Sequence, residues 1–182
     1  MKLDFLNKKT IIILVVVLIL IILAICGYFA YKKSKTPVTL TSNDNSFKLT
    51  VPGNIKFSKK DSDTLDIFSK KDEMILSSTV IKKEREIELS DAAALEMAGL
   101  PNIKTNLDNL SSLTKFELNG HEACKYSYTY FDKDYNNNFY VEIIWIKTDK
   151  NLYVLDLEVI TKNQEKYKTY FDSIVNSFEE IN

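Results

Sequence analysis

The chain reads as an α+β protein: a central antiparallel sheet covered by helices, with an N-terminal transmembrane helix ahead of it. Three observations predict this. Residues 11–31 form an uncharged apolar run. Three long strand-like runs, separated by turn signals, lie between residues 122 and 160. The last stretch, Tyr167 to Phe178, repeats its apolar residues at helical spacing.

The run IIILVVVLILIILAICGYFAY is as long as the ~20 residues needed to cross ~30 Å of hydrocarbon. It carries no polar stripe of the kind that marks a helix lying on a surface. Lys2, Lys8 and Lys9 flank one side, diluted by Asp4, and Lys32, Lys33 and Lys35 flank the other. Positive charge alone therefore leaves the orientation close to a draw. The short N-terminal region followed at once by the apolar run resembles an export signal and favours a domain outside the cytoplasm. Tyr28, Phe29 and Tyr31 suit interfacial anchors better than a cleavage site. Leu23-Ala24-Ile25-Cys26 resembles a lipobox, but Ile25 is large where that motif has a small residue. Cys26 is read as an apolar residue of the span, with lipidation as the alternative. The expected organisation is a cytoplasmic tail over 1–10, the anchor over 11–31, a linker over 32–45 and one domain over 46–182.

From Thr36 onward the chain has 18 Lys+Arg and 24 Asp+Glu, a net charge of −6. That argues against nucleic acid and anionic lipid surfaces as main partners. The cysteines, Cys26 and Cys124, fall in anchor and domain, so no disulfide framework exists and the core must supply stability.

Within the domain, Phe47-Lys48-Leu49-Thr50-Val51 alternates like a half-buried strand, and Pro52-Gly53-Asn54 turns the chain. Leu65 to Phe68 and Met74 to Ile81 follow as strands. Ser90 is the expected N-cap of a helix through DAAALEMA, with Asp91 at the positive dipole end. Pro101 is expected to end or kink it, and a second short helix to run to about Leu110. Thr114 to Leu118 leads into Asn119-Gly120, a two-residue hairpin signal. Strands over Glu122 to Phe131, Phe139 to Lys147 and Leu152 to Ile160 come next, with Tyr126, Tyr128 and Tyr130 on one face. Asn163 is the expected cap of a final helix. Its Tyr167, Tyr170, Phe171, Ile174, Val175 and Phe178 make one apolar face suited to a sheet.

The opening FKLTVPGN (47–54), the hairpin at Asn119-Gly120, the tyrosine-rich strands and the closing IVNSF (174–178) together resemble the PsbP-like superfamily. The resemblance covers roughly Phe47 to Phe178; the family's aromatic after the first turn is replaced by Ile55. It implies an α/β/α sandwich and a binding or assembly role without catalysis. It transfers no binding residue to this chain, and fold alone does not fix function.

No metal or catalytic signature of known spacing occurs, and His121 is the only histidine. His121 is expected to be exposed after the turn, and Cys124 to be a small buried hydrophobe on the opposite strand face. The nearest thing to a metal loop is Asp132-Lys133-Asp134-Tyr135-Asn136, a D-x-D-x-N start. It then lacks the turn glycine, at Asn137, and the closing acid, at Ile143. Asp132, Asp134 and Asn136 are thus weak metal candidates, and a polar hairpin connector explains them better. Glu142, Asp156 and Glu158 could pair as general acid and base, but alternate with Lys125 and Lys147 in a way that suits cross-strand ion pairs. The sequence therefore predicts no catalytic residue and no cofactor. Its best reading is a membrane-anchored, extracytoplasmic, non-catalytic domain that binds a protein or envelope partner. The alternative is an exported sensor or binder of a small ligand or cation.

Overall fold

The computed structural model describes residues 8–70, 73–83 and 86–181. It divides into two units, Met1–Thr36 and Pro37–Asn182. The first is a helix, α1 (Lys8–Lys35). Its described side chains from Ile13 to Phe29 are exposed on every side, Ile13 by 62% and Leu23 by 61%. Among the described residues no helix is long and apolar enough to cross a membrane. The described side chains of the apolar run are unbroken only over 13–29, short of the ~20 residues a span needs. The expected span over 11–31 thus becomes a helix here, and part of it rests on side chains outside the described ones. The expected tail over 1–10 lies mostly outside the described residues.

The second unit begins inside the expected linker. Val38–Thr41 is a strand, β1, because Leu40 enters the core while its threonines face out. It pairs with β2 (Phe47–Val51), whose alternation is as the sequence predicts. Two short strands, β3 (Ser58–Lys59) and β4 (Ile67–Ser69), lead to β5 (Met74–Lys82). Helix α2 (Leu89–Ile103) follows. It starts before Ser90: Leu89 is buried and already helical, and the preceding Glu88 makes no side-chain cap. Pro101 lies inside the helix rather than at its end. Its missing N–H and ring affect only the last turn, and the helix closes two residues later. The expected second helix near Leu110 is absent. Asn106 and Asn109 take left-handed φ of 52° and 53°, and Asp108 exchanges two 2.8 Å backbone bonds with Thr129 as an isolated bridge.

Next come β6 (Thr114–Leu118), β7 (His121–Asp132), β8 (Asn137–Lys147) and β9 (Asn151–Ile160). The β6–β7 turn has positive φ at Asn119 (52°) and Gly120 (84°), the mirror-image turn that matches strand twist. The Asn119 amide also donates to the carbonyls of Asn176 (3.2 Å) and Phe178 (2.8 Å). Helix α3 (Gln164–Asn176) is entered through a 3₁₀ turn over 161–163. That turn holds Asn163 at φ −104°, ψ −2°, outside the extended geometry of a capping residue, and its side chain makes no cap bond. A last short strand, β10 (Glu179–Glu180), pairs with β2.

The strands form two antiparallel sheets, ordered β1-β2-β10 and β3-β4-β5-β9-β8-β7-β6. One core lies between the large sheet and the layer of β2 and α3: Phe47, Leu49, Leu155, Phe171 and Ile174 are all fully buried there. The other lies under α2, built on Leu89, Ala93, Leu100 and the outward rows of β7, β8 and β9. Tyr167, Phe171, Ile174 and Val175 make the buried stripe of α3, as their spacing predicts. Ile174→Ala leaves a cavity at a site with no exposed surface. Chemical denaturation should show a loss of about 2–5 kcal/mol; a loss under about 1 kcal/mol would mean that α3 does not seal this core.

Candidate functional site

The expected acid set is split by the sheet. Glu142 pairs in register with Leu157, so it points to the α3 face, opposite Asp156 and Glu158. There it is buried, bonded to the Lys125 ammonium at 3.1 Å and the Tyr140 hydroxyl at 2.9 Å. That is the cross-strand ion pair the alternation predicts. His121 packs edge-on against Phe178 at 6.2 Å and is half-buried, not exposed, because the hairpin folds back over the C-terminal segment. Cys124 is buried in the opposite core, where burial and the neighbouring Glu122 carboxylate push its thiol up to about 11. No Cys–His couple forms.

Asp132 closes β7, and its Oδ1 accepts the backbone N–H groups of Asp134 (2.8 Å) and Tyr135 (3.1 Å). This ties the carboxylate into its own turn. Asn136 supplies the left-handed residue, at φ 50°. Among the described residues no group of three or more His, Cys, Asp or Glu is placed to hold a metal ion.

The face under α2 is different. Alternation in β7 sends Cys124, Tyr126, Tyr128 and Tyr130 to this side, and β8 adds Phe139, Val141, Ile143 and Trp145. Helix α2 packs on these two strands. Beyond them β9 contributes Val154, then Asp156 and Glu158, then Ile160. Across from Asp156 on β5 is Ser77, and across from Glu158 is Ile75. Along this row of β5, Ile75 and Ser77 are half-buried, and Thr79 and Ile81 are exposed. The α2 side of the sheet is therefore sealed over β7 and β8 and partly open over β9 and β5.

Three carboxylates belong to this face. Glu96 of α2 accepts the Tyr126 hydroxyl at 2.7 Å and the Trp145 indole N–H at 2.8 Å. Glu158 accepts the Tyr130 hydroxyl. Asp156 has an Oδ1 that is closed to solvent and has no hydrogen-bond partner. Among the described residues none of the three has a cation within ion-pair distance. The nearby Lys104 ammonium lies 4.0 Å above the Tyr130 ring instead. Burial, reinforced by Glu158 and less by Glu96 and Asp66, raises the Asp156 carboxyl to about 7, against the pull of Lys104. Burial first, then the carboxylates, pushes Tyr126, Tyr128 and Tyr130 above the ordinary phenol range.

Beside Glu158 a cleft of about 270 Å³ opens between Phe68, Ile75, Phe139, Ile160 and the exposed Tyr135. A larger hollow of about 520 Å³ by Asn106, Asp108, Asn109 and Thr129 is shallow and polar. A raised carboxyl in a partly open face can exchange a proton near neutrality, a pattern also met in active sites. Neither of the other candidate catalytic groups stands beside it: Cys124 is sealed in the core and His121 faces the other side. The sequence places the three tyrosines on one face but does not point to Trp145, which the β7–β8 register sets beside them, or to Glu96 and Lys104, which the docking of α2 brings near. Its one usable signal is the run LYVLDLEVI, where Asp156 and Glu158 interrupt an apolar row.

No protein-family model and no curated protein sequence matches the chain. Solved structures do. LpqN, involved in cell envelope biogenesis of Mycobacterium tuberculosis, superposes with a TM-score of 0.59 at 13% identity, over 81% of this chain and 91% of LpqN. Cyanobacterial PsbP (CyanoP) from Synechocystis sp. PCC 6803 gives 0.58 at 12% identity, over 81% and 94%. A point mutant of the protein Mog1 gives 0.54 at 13% identity, over 81% and 97%. The chain has a PsbP/Mog1-like fold, as the resemblance in its sequence implies.

Two measurements follow from this geometry. Calcium at ~1 mM should leave the melting temperature unchanged, whereas a ~10 μM site would add ~2.7 kcal/mol. A rise of several degrees, lost in Asp132→Asn with Asp134→Asn, would make the β7–β8 turn a cation site. Asp156 should also make stability fall as pH rises. Its ordinary value is 3.8 and its folded value about 7. Between these the folded state holds the proton more tightly than the unfolded one, so rising pH favours unfolding. Denaturation at pH 5 and pH 8 should show Asp156→Asn with a flatter pH dependence and its largest relative gain at pH 8. An unchanged pH profile would place Asp156 in an ordinary aqueous setting.

Proposed function

We propose that this chain is a membrane-anchored domain, facing out of the cytoplasm, that binds a protein or envelope partner and catalyses no reaction. The observation that carries the anchoring is the all-round exposure of the apolar side chains of α1, from Ile13 to Phe29. A helix with a single apolar stripe could bury it on a domain; one that is apolar all round needs a wholly non-aqueous setting. The binding role is supported by an aromatic and acidic face that is partly open and lacks a deep pocket. The involvement of LpqN in cell envelope biogenesis is in keeping with it, as a role of that protein. The apolar cleft near Tyr135 favours a second reading, an exported binder of a small ligand. Its ~270 Å³ falls just below the ~300–1,000 Å³ usual for such sites.

In its own cells the full-length protein should sediment with membranes and resist carbonate extraction. Protease added to intact wall-free cells should remove the domain and leave a membrane-bound stub. Release by carbonate would reject the anchor, and protection of the domain until the cells are lysed would reverse the orientation.

A further inference from the structure

We propose that the open β5–β9 half of the α2 face is the docking surface, and that it takes a segment of a basic partner protein whose Lys or Arg side chain sits between Asp156 and Glu158. This deepens the binding reading above and rests on it.

Four features of the face specify the occupant. First, the cover stops short. Helix α2 packs on β7 and β8, while Ser77, Thr79 and Ile81 of β5 remain partly or fully exposed beyond it. Second, the floor carries carboxyl groups that no ion pair offsets, Lys104 acting on Asp156 only from beyond ion-pair distance. Asp156, Glu158 and Glu96 face this side with no cation in ion-pair distance among the described residues. A shielded carboxylate oxygen without a partner is costly unless something meets it, and Oδ1 of Asp156 is such an atom. An ammonium or guanidinium group is the complement, because it donates several hydrogen bonds and cancels the charge. Third, a mostly apolar cleft of Phe68, Ile75, Phe139 and Ile160, with Lys70 and Glu73 also on its wall, begins at Ile75, the register partner of Glu158, so an apolar residue next to the cation finds a seat. Fourth, charge selects among occupants. A second copy of this acidic domain, at net −6, is repelled, and so is an anionic lipid surface.

The test places the photocrosslinker p-benzoylphenylalanine at Thr79 of the full-length chain in its own cells, with Ser173 on the exposed side of α3 as the reference position. Irradiation from position 79 should give an adduct with a different protein, in a fragment containing Lys or Arg. Asp156→Asn with Glu158→Gln should lower its yield at least tenfold. Ser77→Arg should do the same with both carboxylates intact, because it puts a guanidinium opposite Asp156 from within the chain. Circular dichroism melts establish that both variants remain folded. An adduct that persists in both variants, that joins two copies of this chain, or that lacks a cationic residue overturns the proposal. Adducts from position 173 alone reject this face and keep the binding reading; adducts from neither position count against both.

Discussion

The domain depends on one constraint: β8 is buried on both faces. Residues 139–146 are buried without a break, so each side of the strand must meet a separate apolar layer. Antiparallel sheets commonly leave one face to water, and then their strands alternate apolar with polar. Here the run Phe139-Tyr140-Val141-Glu142-Ile143-Ile144-Trp145-Ile146 forbids that. Its only charged member, Glu142, is held by Lys125 and Tyr140. Two cores follow, hence two covering layers, and a one-residue slip of register would exchange their contents.

The two covers are unequal, and the candidate site arises from that inequality. On one side, α3 works together with β1, β2 and β10. The Ser177 hydroxyl accepts the Thr50 N–H at 2.7 Å and so ties the end of α3 to β2. Glu180 accepts the hydroxyls of Thr148 (2.7 Å) and Tyr153 (2.9 Å) and so fastens the C-terminal strand to the large sheet. Phe47 and Phe178 stack between these ties and Tyr153 meets both edge-on, with ring centroids 5.1–5.8 Å apart. On the other side α2 is nearly alone, with three buried residues, Leu89, Ala93 and Leu100. One helix is about 10 Å wide with its side chains, and neighbouring strands lie about 4.8 Å apart, so one helix spans about two strands. The strands beyond it, β9 and β5, must tolerate water or a partner. Polar residues appear there: Asp156, Glu158, Ser77 and Thr79.

The legible part of this architecture is the part governed by short periodicities. Alternation located β2, β5 and β7, the Asn-Gly pair located the β6–β7 turn, and the spacing from Tyr167 to Phe178 located α3 and its buried stripe. The misreadings fall where tertiary contacts override local signals. Ser90 is a good cap by type, but the burial of Leu89 draws the helix start ahead of it. Asn163 is likewise a cap by type, but the 3₁₀ turn fixes its backbone. Val38 to Thr41 reads as polar linker, and only pairing with β2 makes it a strand. The site was half legible. Asp156 and Glu158 stand out as breaks in an apolar row, and the tyrosines share a predictable face. That Glu142 belongs elsewhere follows from its strand parity once register is known. That Glu96 joins the tyrosines follows from helix docking, which no local pattern encodes.

The position of Asp156 bears on what the acid row costs the fold. An apolar residue there would extend the core of β9 and remove an unpaired oxygen, so folding alone favours replacement. The neighbouring strands show that the fold can fill such positions: Ile143, its register partner on β8, is nearly fully buried. Two adjacent carboxylates at the boundary of the helix cover work against the fold, and places where a structure departs from its own packing rule are where function is expected. The departure is also local. Glu142, on the opposite face of the same sheet, has its lysine within 3.1 Å; among the described residues Asp156 and Glu158 have none at ion-pair distance. Within the described residues one buried acid is thus neutralised by its own sheet and the next pair is not, and that asymmetry is the ground on which the proposed docking of a basic segment rests.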